Sequence, residues 1–184
     1  TAVGSLAAGS TTSGVDVTAL GYSAGRKNET GSRNTYLGSQ SGYGVNGQSH
    51  SDNTFTGYKS GFAITSGGNN CIYGSSAGVA LTSGANNVLI GKDSGNTITT
   101  QSYNTSVGTA SLYNATGIGN TVLCYQSAFG VSGNNNIAIG LQTIRTNLGV
   151  SGSSNIAIGD GAISPAANDM SGSGNICIGI ESCD

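Results

Sequence analysis

A short segment of the form Asn-x-x-x-Gly recurs along the chain about every 17 residues, and this period constrains the fold more than any other feature. Residues 34–38, 87–91 and 155–159 are clear copies. The closing positions of successive copies are 4, 21, 38, 57, 74, 91, 108, 124, 140, 159 and 179. A period this short, with one β-rich segment per copy, is typical of a solenoid. We therefore predict a single all-β domain over residues 1–184, a parallel β-solenoid of about eleven coils.

No single copy of the repeat is expected to fold alone. Ordering each backbone residue costs about 1–2 kcal/mol, and one copy offers only a few apolar side chains to offset that cost. Stability must therefore come from stacking the coils, which makes a rod on the order of 50 Å long at roughly 4.8 Å per coil. The sequence shows no evident capping element, so an end-to-end polymer and a segment of a longer fibre both remain open.

The three residues before each closing glycine alternate as a β-strand does, and we call them first, second and third. First and third residues are mostly β-branched or long, as in Ile137 and Ile139, and we interpret them as the interior of the coil. The second residue should then face outward. Because that column is apolar, we predict that it mediates lateral self-association, with three-fold symmetry the most natural arrangement. The predicted self-association residues are Ala19, Tyr36, Phe55, Ile72, Leu89, Val122, Ala138, Ala157 and Cys177. A flattened coil that covers both strand faces is the alternative.

The sequence also predicts roles for the corner and turn residues of the repeat. The closing glycine fits a corner that needs a positive φ or a close backbone approach. The Asn that opens each strand is expected to hydrogen-bond backbone at the turn and to stack on the Asn of the next coil.

Charge and composition argue against several classes of function. Only 8% of residues are charged and the net charge is −2, so the chain lacks the clustered positive charge that is typical of nucleic-acid-binding proteins. No apolar run is long enough for a membrane helix. The single histidine, His50, lies in a Gly/Ser-rich stretch and is predicted to be a solvated loop residue. The acidic residues are scattered rather than paired. We predict no enzymatic activity, no metal site and no cofactor.

The four cysteines show no metal-binding spacing. Cys71 is predicted to lie in the interior column, and Cys124 stands where a closing glycine is expected. Cys177 and Cys183 could cross-link neighbouring subunits or pair within one copy, and the sequence does not choose between these. Among the Asn-x-Ser/Thr sequons, Asn28 and Asn114 fall in predicted loops and are the candidate glycosylation sites.

The string Asn-Thr-x-x-Gly-x-x-Ala/Ser-Gly, present at residues 34–42, resembles repeats in the head domains of trimeric autotransporter adhesins and in phage tail fibres. Residues 155–159 are especially similar to the adhesin head repeat. The resemblance covers essentially the whole chain. It implies a left-handed parallel β-roll that forms trimers and binds host surfaces or matrix.

These observations favour a structural protein of an extracellular fibre or filament, located outside the cell, on a cell surface or on a virion. Its expected partner is itself, as a trimer or an end-to-end polymer. An adhesin or receptor-binding fibre is the alternative, with a surface glycan or receptor bound by the longest loops, at residues 27–33, 43–52, 144–150 and 164–173. Ice binding by a threonine column (Thr35, Thr54, Thr105 and Thr121) is a minor alternative, because that column is predicted to face inward.

Overall fold

The computed structural model describes residues 1–144, 151–163 and 172–183, and these form one parallel β-solenoid of about ten turns with a period near 17 residues. One strand per coil joins a single sheet of eleven strands in chain order. The strands are β1 Ala2–Val3, β2 Thr18–Leu20, β3 Thr35–Leu37, β4 Thr54–Thr56, β5 Cys71–Tyr73, β6 Val88–Ile90, β7 Thr105–Val107, β8 Thr121–Leu123, β9 Ile137–Ile139, β10 Ile156–Ile158 and β11 Ile176–Ile178. The described residues include no helix with the length and apolarity needed to cross a bilayer.

Each coil stacks on the next in register, so equivalent residues form columns along the axis. Tyr36 pairs with Phe55 and Phe55 with Ile72, for example. The corners add backbone bonds between coils, as where the Gly42 N–H donates to the Ser60 carbonyl at 2.8 Å. The backbone groups of one coil are thus satisfied mainly by its neighbours, which is why the repeats depend on stacking.

The predicted asparagine ladder is confirmed. The Asn53 side-chain oxygen accepts hydrogen bonds from the backbone N–H and the side-chain amide of Asn70, at 3.0 and 3.1 Å. Asn70 and Asn87 repeat the arrangement one coil further on. These side chains are buried, so the ladder satisfies backbone groups at the entry to each strand.

The closing glycines are also explained as predicted. Gly38 has a φ of +131°, and a side chain on it would lie 2.7 Å from the carbonyl oxygen of Gly57 in the next coil. Backbone therefore packs directly on backbone at this corner, which only glycine allows without strain. Cys124 is the exception, with a φ of +98°.

The predicted orientation of the strands is wrong: from β2 to β11 the second residue points inward, and the first and third point outward. The interior is narrow, and each coil fills it with one strand residue and a few small or apolar residues from the rest of the turn. Ile64, Leu81 and Ile98 form a second buried column opposite the strands. The tube therefore has room for only one inward side chain from each strand.

Candidate interaction surface

The outward first and third residues of the strands form an uncharged surface of half-buried and exposed side chains, which we call the outer face. It consists of Thr18, Leu20, Thr35, Leu37, Thr54, Thr56, Cys71, Tyr73, Val88, Ile90, Thr105, Val107, Thr121, Leu123, Ile137, Ile139, Ile156, Ile158, Ile176 and Ile178. Tyr73 is 60% exposed, and Ile176 and Ile178 are 68% and 65% exposed. An apolar patch of this length is unusual on the surface of a soluble monomer.

The outer face changes in character along the axis. Threonines occupy most first positions from β2 to β8, and isoleucines occupy both outward positions from β9 to β11. Parallel in-register pairing places like residues on like residues about 4.8 Å apart. The result is a two-column strip with a partly polar end and a fully apolar end.

The residues predicted to mediate self-association lie inside the protein and are corrected here. All nine are no more than 1% exposed, and they belong to the buried core: Ala19, Tyr36, Phe55, Ile72, Leu89, Val122, Ala138, Ala157 and Cys177. A strand alternates between its two faces whichever one is buried, so the pattern alone does not identify the inner face. The flattened-coil alternative, in which the chain covers both faces of the strands, is also wrong. The described residues leave the outer face uncovered.

Cys177 and Cys183 form a disulfide within the last coil, with their Cα atoms 5.8 Å apart. Of the two arrangements that the sequence left open, this pair is therefore intramolecular. Cys71 and Cys124 are free and exposed. The prediction that Cys71 lies in the interior is wrong, because it occupies a first position and lies on the outer face.

His50 is buried, not solvated as predicted, and is 2% exposed. Its Nδ1 lies 3.2 Å from the Tyr36 hydroxyl, and Asn28 donates its side-chain amide to the same hydroxyl at 3.1 Å. The ring also packs beside Phe55. Burial disfavours the charged imidazolium and lowers the pKa of His50 to about 4, while burial raises the pKa of Tyr36. The hydroxyl of a buried tyrosine needs a hydrogen-bond partner. Tyr36 is therefore the sequence feature that could have indicated this polar cluster.

The cluster also excludes one candidate glycosylation site. Asn28 is 1% exposed, and its side-chain amide donates to the Gly31 carbonyl at 3.2 Å as well as to Tyr36. A glycan on that nitrogen would break both bonds and would need space that the core lacks. Asn114 is exposed and stays a prediction.

Two of the predicted ligand-binding loops are described, and two are not. Residues 27–33 and 43–52 lie on adjacent coils and are joined by the bond from the Gly47 N–H to the Glu29 carboxylate, at 2.9 Å. Residues 145–150 and 164–171 carry most of the other two loops and lie outside the described residues. Within the described part of the chain, no group of three or more His, Cys, Asp or Glu side chains could hold a metal ion.

No known protein family, curated protein sequence or solved structure matches this chain. The outer face is accordingly the site on which a functional interpretation can be built. It contains no nucleophile beside a base and no carboxylate. It offers apolar contact and threonine hydroxyls, and these suit association with another surface.

Proposed function

We propose that the chain is a structural subunit of an extracellular fibre and that it self-associates laterally through the outer face. The observation that carries this proposal is the uncharged strip running from β2 to β11, with Ile176 and Ile178 about two-thirds exposed. Covering the exposed part of each outward side chain contributes in proportion to the apolar area removed from water, so the strip as a whole favours association.

A cyclic arrangement around a shared axis is the simplest assembly for such a strip. The strip runs parallel to the solenoid axis, so copies turned toward one axis would bury it along its whole length. Three copies would form a closed assembly with no unpaired strip. The resemblance to trimeric adhesin heads and tail fibres favours the same number.

A location outside the cytoplasm is part of the proposal. The Cys177–Cys183 disulfide supports it, because disulfides persist in oxidising environments and are rare in the cytosol. The low content of charged residues is also compatible with a fibre whose long surface is covered by its own copies.

Sedimentation equilibrium across a concentration series tests the proposal. We expect the native chain to form a discrete oligomer, and the variant carrying Ile139→Lys and Ile158→Lys to be monomeric, since desolvating two lysines in an apolar interface is costly. The matched control is Ser66→Lys with Thr100→Lys, two exposed positions away from the outer face. A monomeric native chain, or equal dissociation of both variants, would contradict the proposal. Electron microscopy distinguishes discrete trimers from end-to-end filaments.

Ice binding is a second candidate function, because the threonine column faces outward and not inward as predicted. Regularly spaced hydroxyls on a flat sheet could order water. The column includes Thr18, Thr35, Thr54, Thr105 and Thr121. However, Cys71 and Val88 interrupt it and Tyr73 projects beside it, so the fibre remains favoured. Ice-recrystallisation inhibition by the native chain, abolished by Thr35→Lys, would establish this function, and its absence would remove it.

A further inference from the structure

A cluster of cations and aromatic rings forms a separate surface at the corners that follow strands β2, β3 and β4. It comprises Arg26, Lys27, Tyr43, Lys59 and Phe62, and we call it the basic corner. The Tyr43 and Phe62 rings stack at 5.0 Å with an angle of 15° between their planes. Lys27 Nζ lies 4.7 Å from the centre of the Tyr43 ring, and Lys59 Nζ lies 5.5 Å from that of Phe62.

Among the described residues, the cations of the basic corner form no ion pair with an acid. In the part of the chain that the structure describes, the ion pairs are Arg33 with Asp52 and Lys92 with Asp93. Neither pair involves a cation of the basic corner. The cluster holds three of the six lysines and arginines of the chain, although the net charge is −2. Such a local concentration attracts anions despite the overall charge.

The aromatic stack holds these cations in place. The Arg26 guanidinium donates a hydrogen bond to the Tyr43 hydroxyl at 3.4 Å, and its carbon lies 5.9 Å from the centre of the same ring. A freely rotating lysine or arginine loses side-chain entropy when it binds a ligand. Side chains already restrained by ring contacts lose less, so the corner is partly preorganised.

The spacing of the charges indicates what kind of ligand fits. Lys27 is on the coil before Tyr43 and Lys59 is on the coil after it, as the bonds from Lys27 N–H to Tyr43 and from Gly44 N–H to Phe62 show. The backbones of the two coils that carry the lysines are about 10 Å apart along the axis, with the Tyr43–Phe62 stack between the lysines. A ligand that extends along the axis and presents several negative charges in a row would meet both lysines. Nucleic-acid-binding proteins present an extended positive surface, whereas the basic corner has three cations on a chain with a net charge of −2.

We propose that the basic corner binds an acidic polysaccharide, a chain whose carboxylate or sulfate groups follow the solenoid axis past Lys27 and Lys59. The proposal does not depend on self-association, because the corner lies off the outer face. Bound sugar would contact a surface that remains available at the periphery of a lateral assembly.

Isothermal titration calorimetry on the full chain tests this proposal with defined probes. The probes are a heparin-derived decasaccharide, an oligogalacturonate, neutral maltoheptaose and a short single-stranded DNA. We expect one of the two acidic saccharides to bind and the neutral maltoheptaose not to bind. Binding of the heparin fragment would indicate sulfate recognition, and binding of the oligogalacturonate would indicate carboxylate recognition. The Lys27→Gln, Lys59→Gln double variant should bind roughly tenfold more weakly, since it removes two of the three cations of the basic corner.

The control variants distinguish binding at the basic corner from attraction by the net charge of the protein. Arg33→Gln with Lys92→Gln removes the same net charge from the two cations that are paired with acids, and it should leave affinity unchanged. Tyr113→Leu disrupts the equivalent stack with Phe129, at 5.3 Å, in the same corner column, and it should also have no effect. Failure of both acidic saccharides to bind, equal losses in the two double variants, or equally tight binding of the DNA would overturn the proposal. Sedimentation of each variant reports self-association separately.

Discussion

The ring of Tyr36 occupies the space that a side chain on Gly42 would need. A methyl group on Gly42 would overlap the edge of the ring, and the opposite ring edge meets Gly25 of the previous coil in the same way. Both glycines also have a positive φ, of 55° and 59°. The large core residue and the glycines at the corner are therefore one packing unit.

The same two positions, six residues apart in the sequence, face each other in other coils of the solenoid. Which of the two positions holds the larger side chain differs from coil to coil. Phe55 faces Gly61, whereas the coil of Ser106 carries Leu112 at the corner, and the coil of Ala138 carries Ile144. The last coil places Cys177 and Cys183 at the same two positions and joins them as a disulfide. A constant interior volume shared between two positions explains why a large residue at one excludes a large residue at the other.

We expect the exchange to be measurable as a coupling between Phe55 and Gly61. Phe55→Ala leaves a cavity and should cost about 3–5 kcal/mol of unfolding free energy. Gly61→Leu should also destabilise, because the new Cβ would lie 2.6 Å from the Phe55 ring. The double variant imitates the Ser106 and Leu112 coil, where leucine adopts a φ of 52°, and should be more stable than the sum of the single changes predicts. Urea unfolding of the four proteins gives the coupling energy, and additive losses would refute it.

A single break in the asparagine ladder should be costly. Asn87 donates its amide to the Gln101 carbonyl at 3.0 Å, and its oxygen accepts from the Asn104 N–H at 3.0 Å. Asn87→Ala leaves the buried Asn104 N–H and the partly buried Gln101 carbonyl without these partners, so we expect a loss of about 2–4 kcal/mol. The matched control is Asn46→Ala, in an exposed loop, which should change stability by less than about 0.5 kcal/mol. Thermal unfolding followed by circular dichroism compares the two, and similar melting temperatures would count against the ladder as a stabilising element.

His50 should make the N-terminal coils sensitive to acid. Its pKa falls from 6.5 to about 4 on folding, so the unfolded chain binds the proton more readily between these values. Stability is therefore retained above pH 6.5 and decreases as the pH falls toward 4, by roughly 3 kcal/mol in total. Below about pH 4 the contribution of His50 is constant. Urea unfolding at several pH values measures the slope.

The His50→Gln variant provides the comparison for this pH dependence. Glutamine keeps a polar group near the Tyr36 hydroxyl but does not titrate. We expect the variant to be less stable at neutral pH and to have a flatter profile between pH 6.5 and 4. If the native chain and the variant show the same slope, His50 is not the group responsible.

Much of the fold could be predicted from the sequence, and the part that failed has a physical cause. The period, the parallel stacking and the corner glycines follow from spacing and from the conformational freedom of glycine, as at Gly38. The inward face did not follow, because Ile137 and Ile139 resemble core residues more than Ala138 does. Ala138 is inside because Ile144 fills the remaining volume of its coil. The buried position of His50 depends on contacts with Asn28 and Tyr36 on other segments, which no local pattern predicts.

The two free cysteines offer a direct test of the outer face without adding any new group. Cys71 lies on that face and Cys124 lies at a corner, and both are exposed in the single chain. In a lateral assembly we expect Cys71 to react with a maleimide at a rate that falls as protein concentration rises, because association covers it. Cys124 should react at a constant rate. Cys124→Ser and Cys71→Ser variants report each thiol alone, with the Cys177–Cys183 disulfide left intact. Concentration-independent labelling of Cys71 would mean that the outer face stays open, and some other surface would then have to join the subunits.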